Sequence, residues 1–173
     1  MNVFPGNGHH DSLEVFESSS GSDGTILIPP STILLVDDDA DIRSLTRTFL
    51  EHEGYAVYSS GDAERAAQIF RKVRRVDLLI TDIYMPQRSG MELAAELSET
   101  RKDLPVLLIS GGLVDTEQTA QLQREGWSFL AKPFRLPELL AAVHRILAPV
   151  EANRWSEAER DLAGDGVRLR RSG

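Results

Sequence analysis

Residues 76–82, VDLLITD, make an apolar run that closes on a carboxylate, Asp82, and opens into the loop IYMPQRSG at 83–90. Its apolar middle, LLI at 78–80, and the continuous run ILLV at 33–36 show no polar alternation, which is what a strand buried on both faces requires. Three further runs share its design. STILLVDDD (31–39) ends on Asp37, Asp38 and Asp39, LPVLLIS (104–110) on Ser110, and WSFLAK (127–132) on Lys132. If each is a parallel strand of one sheet, the four ends lie along one edge, where such sheets bind ligands. That edge then collects carboxylates, one hydroxyl and one ammonium, the set needed to handle a metal-bound phosphoryl group.

The segments between these runs read as helices. Ile42, Leu45, Phe49 and Leu50 fall at helical spacing, and Gly54 suits a C-terminal stop. YAVYS (55–59) is a further strand. Asp62 suits the N-cap of a helix through Ala66, Ala67, Ile69 and Phe70. Met91, Ala94, Ala95 and Leu97 mark the third helix, and Leu113 to Glu125 a polar fourth. Pro137 stands well as the first residue of a fifth, with Leu139, Leu140, Val143, Ile146 and Leu147. Five strands alternating with five helices predict an α/β fold, a doubly wound parallel sheet with helices on both faces.

The 173 residues accommodate one domain with tails. We read 1–30 as a flexible N-terminal arm in which Ile26–Ile28 can form a short strand before Pro29-Pro30. Residues 31–149 form the domain. Residues 150–173 form a C-terminal tail with a short helix around Trp155, Ala158 and Leu162 and a frayed basic end, VRLRRSG. The net charge of −8 is uneven: −4 from the arm, −4 from residues 31–150 and zero from the tail. A net acidic core argues against nucleic acid as partner. With no cysteine, disulfides and thiolate metal sites are excluded. No apolar stretch is long enough to span a bilayer and no secretory signal is evident, so no membrane insertion and a cytoplasmic location are expected.

Asp82 is the candidate nucleophile, since a carboxylate attacking phosphorus gives an acyl phosphate. Like charges resist its ionisation beside Asp37 and Asp38, and a bound Mg²⁺ resolves that conflict. Lys132 can pair with one phosphoryl oxygen and the Ser110 hydroxyl with another. Taken singly, each residue has a plainer role. Three Asp after a strand are an ordinary helix N-terminus, with Asp39 a cap; Asp82 alone is a turn residue, Ser110 a polar strand end and Lys132 a surface charge. Their joint occurrence at four strand ends carries the phosphoryl reading.

Residues 31–148 resemble the receiver domain of bacterial two-component response regulators, through VDDD-x-DIR, LLITDIYMP-x-x-SG, VLLISG and AKPF. The resemblance implies a flavodoxin-like sheet of order 2-1-3-4-5 with five helices, an order for which this family is the standard example. It implies that Asp82 is the phosphoacceptor, served by a sensor histidine kinase or histidine phosphotransfer protein. Asp38, Asp82 and the backbone carbonyl of Tyr84 would bind Mg²⁺, and Asp37 would hold metal waters. Ser110 and Lys132 would contact the phosphoryl group, and the Lys132–Pro133 peptide would be cis. Ser110 and Phe129 would form the switch, with output through the fourth helix, fifth strand and fifth helix. Phe129 alone reads equally well as a core aromatic. Tyr84 and Gly112 occupy positions that tune phosphoryl lifetime in the family, Tyr84 as a shield and Gly112 as an opening on the opposite side.

Alternatives of three kinds compete. A receiver fold that no longer cycles phosphate would act as an interaction scaffold, though all five site residues are present. A dehalogenase-type phosphatase needs a second Asp where Tyr84 stands, and a flavodoxin needs a phosphate-cradling loop where Asp37–Asp39 stand. A C-terminal receiver piece of a hybrid kinase is the third, against which Met1 and the long arm favour a free-standing protein without an effector domain. His9-His10 lack fixed geometry for a metal, and His52 and His144, the latter read as near a helix C-terminus, are ordinary helix residues. Arg74-Arg75 and the terminal Arg168, Arg170 and Arg171 are too few for a nucleic-acid surface and read as solvated faces.

Overall fold

The computed structural model describes residues 25–112, 115–161 and 168–171. Five parallel strands, β2 (Thr32–Val36), β3 (Ala56–Ser60), β4 (Leu78–Asp82), β5 (Val106–Ser110) and β6 (Ser128–Ala131), form one sheet. Their order is β3-β2-β4-β5-β6, which is the expected 2-1-3-4-5. Strands β4 and β5 are buried along their whole length, and β2 is buried from Ile33 to Val36, because helices cover both faces. On one face Leu34, Val36, Leu79 and Leu108 pack with α2 (Ala63–Lys72) and α3 (Gly90–Thr100). On the other, Ile33, Leu35, Ile80 and Ile109 pack with α1 (Ala40–His52) and α5 (Leu136–Asp161). Alternate residues of one strand feed the two cores, so each apolar run serves both.

The helix ends follow local chemistry. Asp39 caps α1 by accepting from the Asp41 and Ile42 amides, and Asp62 caps α2 through the Arg65 amide. Helix α3 opens on a capping box between Ser89 and Glu92. Helix α4 (Thr116–Glu125) does the same with Asp115 and Gln118, and ends at Gly126 with φ of +69°. Only Leu122 of α4 is buried, matching its polar sequence. One apolar expectation fails on α1: Leu45 is 60% exposed. The buried stripe is Thr46 and Leu50, four residues apart, and Leu45 lies off it.

The largest departure from expectation is at the C-terminal side. Helix α5 does not end near Pro149 but runs to Asp161, so the helix expected around Trp155 is its continuation and His144 is mid-helix. An interior proline forfeits a backbone bond and costs about 3 kcal/mol. The extension is held by a buried charge. Arg154 donates to the Pro29 carbonyl at 2.7 Å and to Ser31 Oγ at 3.4 Å, and lies 3.7 Å from Asp77 Oδ2. Asp77 also accepts from the Thr32 amide and from Arg75. Ser31 precedes β2 and Asp77 precedes β4, so this network closes the sheet edge opposite the strand-end acids. The N-terminal strand expected at 26–28 is present as β1 (Thr25–Ile28). It pairs in parallel with β7 (Arg168–Arg171), part of the end expected to fray. His9-His10 lie outside the described residues. Among those described, no helix is long and apolar enough to cross a membrane.

Candidate functional site

Asp37, which follows β2, and Asp82, the last residue of β4, are drawn together because β2 and β4 are neighbours in register, with Val36 opposite Thr81. With Asp38 they form a set of carboxylate oxygens all within 4.8 Å of one another. Asp37 and Asp82 are buried, while Asp38 is exposed. Lys132, one residue past β6, reaches into the set: Nζ donates to Asp82 Oδ2 at 2.5 Å and to Asp37 Oδ2 at 2.9 Å. Its backbone amide is fixed on the Ser110 carbonyl, and the following Lys132–Pro133 peptide is cis.

Three carboxylates against one ammonium leave an excess of negative charge. Burial pushes the Asp37 carboxyl above its ordinary range, even though Lys132 pulls the other way. For Lys132, burial works against the ammonium, but the hydrogen bonds to Asp82 and Asp37 prevail and its pKa is raised. The donors are all hard oxygens on a partly open edge, a set that fits a divalent cation such as Mg²⁺. The backbone holds these oxygens in place. Asp37 Oδ1 accepts from the Asp39 amide and Asp82 Oδ1 from the Tyr84 amide. Gly90 starts α3 directly against β4, where a Cβ would collide with the Asp82 carbonyl.

Ser110 is buried at the end of β5, and its hydroxyl is turned onto its own loop. It accepts from the Gly112 amide at 3.0 Å and faces the Gly112 carbonyl at 3.4 Å. Phe129 is 39% exposed on β6 and lines a cleft together with Leu107, Ala142 and Ile146. Tyr84 and Gly112, which the sequence presents as opposing influences, are one contact. A Cβ at Gly112 would stand 2.7 Å from Tyr84 Cε2, so the ring occupies the space a side chain would take.

Arg43 carries no assigned role in the sequence reading. Its guanidinium donates to the Asp37 carbonyl at 2.5 Å and faces the Asp38 carbonyl, pinning the acidic loop. Its signals in the sequence are its place in VDDD-x-DIR and its spacing, six residues past Asp37 on the first turn of α1. Arg154 and Asp77 carry no assigned role there either.

A family model for the response regulator receiver domain matches residues 33–144. The response regulator MprA of Mycobacterium ulcerans (strain Agy99) is 34% identical over 137 residues, covering 79% of this chain and 56% of its own length. MprA of Mycobacterium leprae (strain TN) is 36% identical over 115 residues, covering 66% and 50%. The chain therefore spans about half the length of these relatives. Among solved structures, the Vibrio cholerae chemotaxis protein CheY4 is similar with a TM-score of 0.61 and 29% identity, over 68% of this chain and 99% of its own. The receiver domain of the hybrid histidine kinase CckA gives 0.58 and 30%, over 68% and 99%.

Proposed function

Since this chain belongs to the response regulator receiver family, we propose that it is a phosphorylation-activated signalling domain whose acceptor is Asp82. The observation that carries this reading is the Lys132 ammonium bridging Asp82 and Asp37 inside a cluster of three carboxylates. The Tyr84 amide holds Asp82 Oδ1, leaving Oδ2, beside Lys132, to attack phosphorus. The donor is a phosphohistidine of a sensor histidine kinase or histidine phosphotransfer protein. As the Asp82 oxygen bonds to phosphorus, the P–N bond breaks and the imidazole leaves with its electron pair. Lys132 then passes from the carboxylate to a phosphoryl oxygen, and the Ser110 hydroxyl leaves Gly112 for another.

The proposed Mg²⁺ ligands are Asp38, Asp82 and the Tyr84 carbonyl, with Asp37 holding metal waters; when bound, the ion neutralises the acids and draws in the phosphoryl oxygens. The domain catalyses only its own phosphorylation and dephosphorylation. It acts in the cytoplasm, as receivers do, and signals by protein contacts through α4, β6 and α5, with Ser110 and Phe129 as the switch. Residues 31–149 carry the receiver sheet and site, and α5 continues the unit to Asp161, held by Val150 and Arg154; residues 1–30 and 162–173 flank it.

The test is intact mass after incubation with a small phosphodonor and Mg²⁺. One added phosphoryl group is expected, absent in Asp82→Asn and absent without Mg²⁺. An adduct that persists in Asp82→Asn overturns the assignment.

A further inference from the structure

Tyr84 touches three things at once. Its backbone amide donates to Asp82 Oδ1 at 3.0 Å. Its ring fills the space above Gly112. Its phenol oxygen stands 3.5 Å from Gln118 Oε1. Each contact leads to a different part of the machinery. Gly112 is the residue whose amide and carbonyl engage the Ser110 hydroxyl. Gln118 is the N3 residue of the α4 capping box: its side chain accepts from the Asp115 amide at 3.0 Å, and its own amide donates to Asp115 Oδ1 at 2.8 Å. One side chain thus joins the acceptor loop, the Ser110 loop and the cap of α4.

We propose that Tyr84 is a positioning residue that couples loading of Asp82 to the first turn of α4, with Gly112 as the seat for its ring. This rests on the reading of Asp82 as phosphoacceptor. When the Ser110 hydroxyl turns toward the phosphoryl group, it releases the Gly112 amide and carbonyl. The Tyr84 ring lies on Gly112 and must shift with it, and its hydroxyl carries the shift to the Gln118 carboxamide. Helix α4 is suited to respond. Among its described residues only Leu122 is buried, so little packing opposes a change in its first turn. A side chain at residue 112 would evict the ring, so the absence of one is what makes the coupling contact possible.

The experiment is amide hydrogen exchange over residues 116–120, with and without beryllofluoride and Mg²⁺, in the full chain. Adduct formation is read separately by native mass. In the wild type, loading is expected to change exchange in this turn by about fivefold, the low end of coupling between sites. Tyr84→Phe keeps the ring and the backbone and loses the hydroxyl; compared with the wild type at equal adduct occupancy, it should lose most of that response. Gln118→Glu keeps both the cap and an acceptor for the phenol, and should retain it. A response as large in Tyr84→Phe as in the wild type overturns the coupling while leaving Asp82 intact. Absence of any adduct in the wild type overturns the Asp82 reading, and this inference with it.

Discussion

Removing either partner of the buried Arg154–Asp77 pair should destabilise the protein, but by unequal amounts. Arg154→Met keeps the apolar stem and deletes the guanidinium. Its partners are not orphaned: Pro29 is exposed, Ser31 Oγ still donates to Glu151, and Asp77 keeps the Thr32 amide at 2.8 Å and Arg75 at 2.5 Å. The loss is then that of a charge-assisted hydrogen bond, about 1.5–3 kcal/mol. Asp77→Ala is different. It strips the carboxylate from the Thr32 amide and from Arg75, and leaves Arg154, 8% exposed, without its anion. Breaking a buried pair in this way costs about 3–5 kcal/mol. Burial already pulls the Arg154 pKa down, the direction expected of a cation that needs its partner. Urea denaturation of both variants, with the dependence on denaturant unchanged, reads the difference directly. Arg154→Met costing as much as Asp77→Ala, or less than about 0.5 kcal/mol as for an ordinary surface change, would refute the claim that this network holds the extended helix.

Two further outcomes follow from the site and its surroundings. Lys132→Ala leaves Asp37 and Asp82 facing each other without the ammonium that bridges them; its melting temperature should fall below that of the wild type, and added Mg²⁺ should raise it more than it raises the wild type. Equal Mg²⁺ shifts would contradict the shared-charge account. Glu96 is paired with Arg88 and Arg71, and Arg88 first of all holds its carboxyl below the ordinary 4.5. A lowered carboxyl stabilises fully above its ordinary pKa and loses that contribution as pH falls through the folded value. Glu96→Gln should therefore be less stable than the wild type at neutral pH, with the gap closing on acidification; a gap independent of pH would sink this.

Much of the fold is legible because burial on both faces keeps the middles of β2, β4 and β5 apolar and confines most of their polar residues to the strand ends. Site residues are legible for a related reason: a polar side chain that ends such a run has only the sheet edge to occupy. What stayed hidden depends on contacts between distant residues. Arg154 sits in a polar stretch with no periodic mark, and its burial follows from Asp77, 77 positions earlier in the chain. Pro149 reads as a helix end because its local cost is real; the buried pair and the packing of Val150 on the core offset it. Leu45 shares helical spacing with its neighbours but falls outside the stripe that faces β2 and β3. Tyr84 and Gly112 read as opposites because a sequence gives each residue's size but not their shared space.

The most direct test of the account is to locate the phosphoryl group. Phosphorylated protein is reduced with borohydride, which converts an aspartyl phosphate to homoserine, then digested and sequenced by mass spectrometry. The account predicts homoserine at position 82, formed only after exposure to phosphodonor and Mg²⁺. Homoserine at position 37 or 38, or a stable phosphoryl group on a serine or histidine, would contradict it.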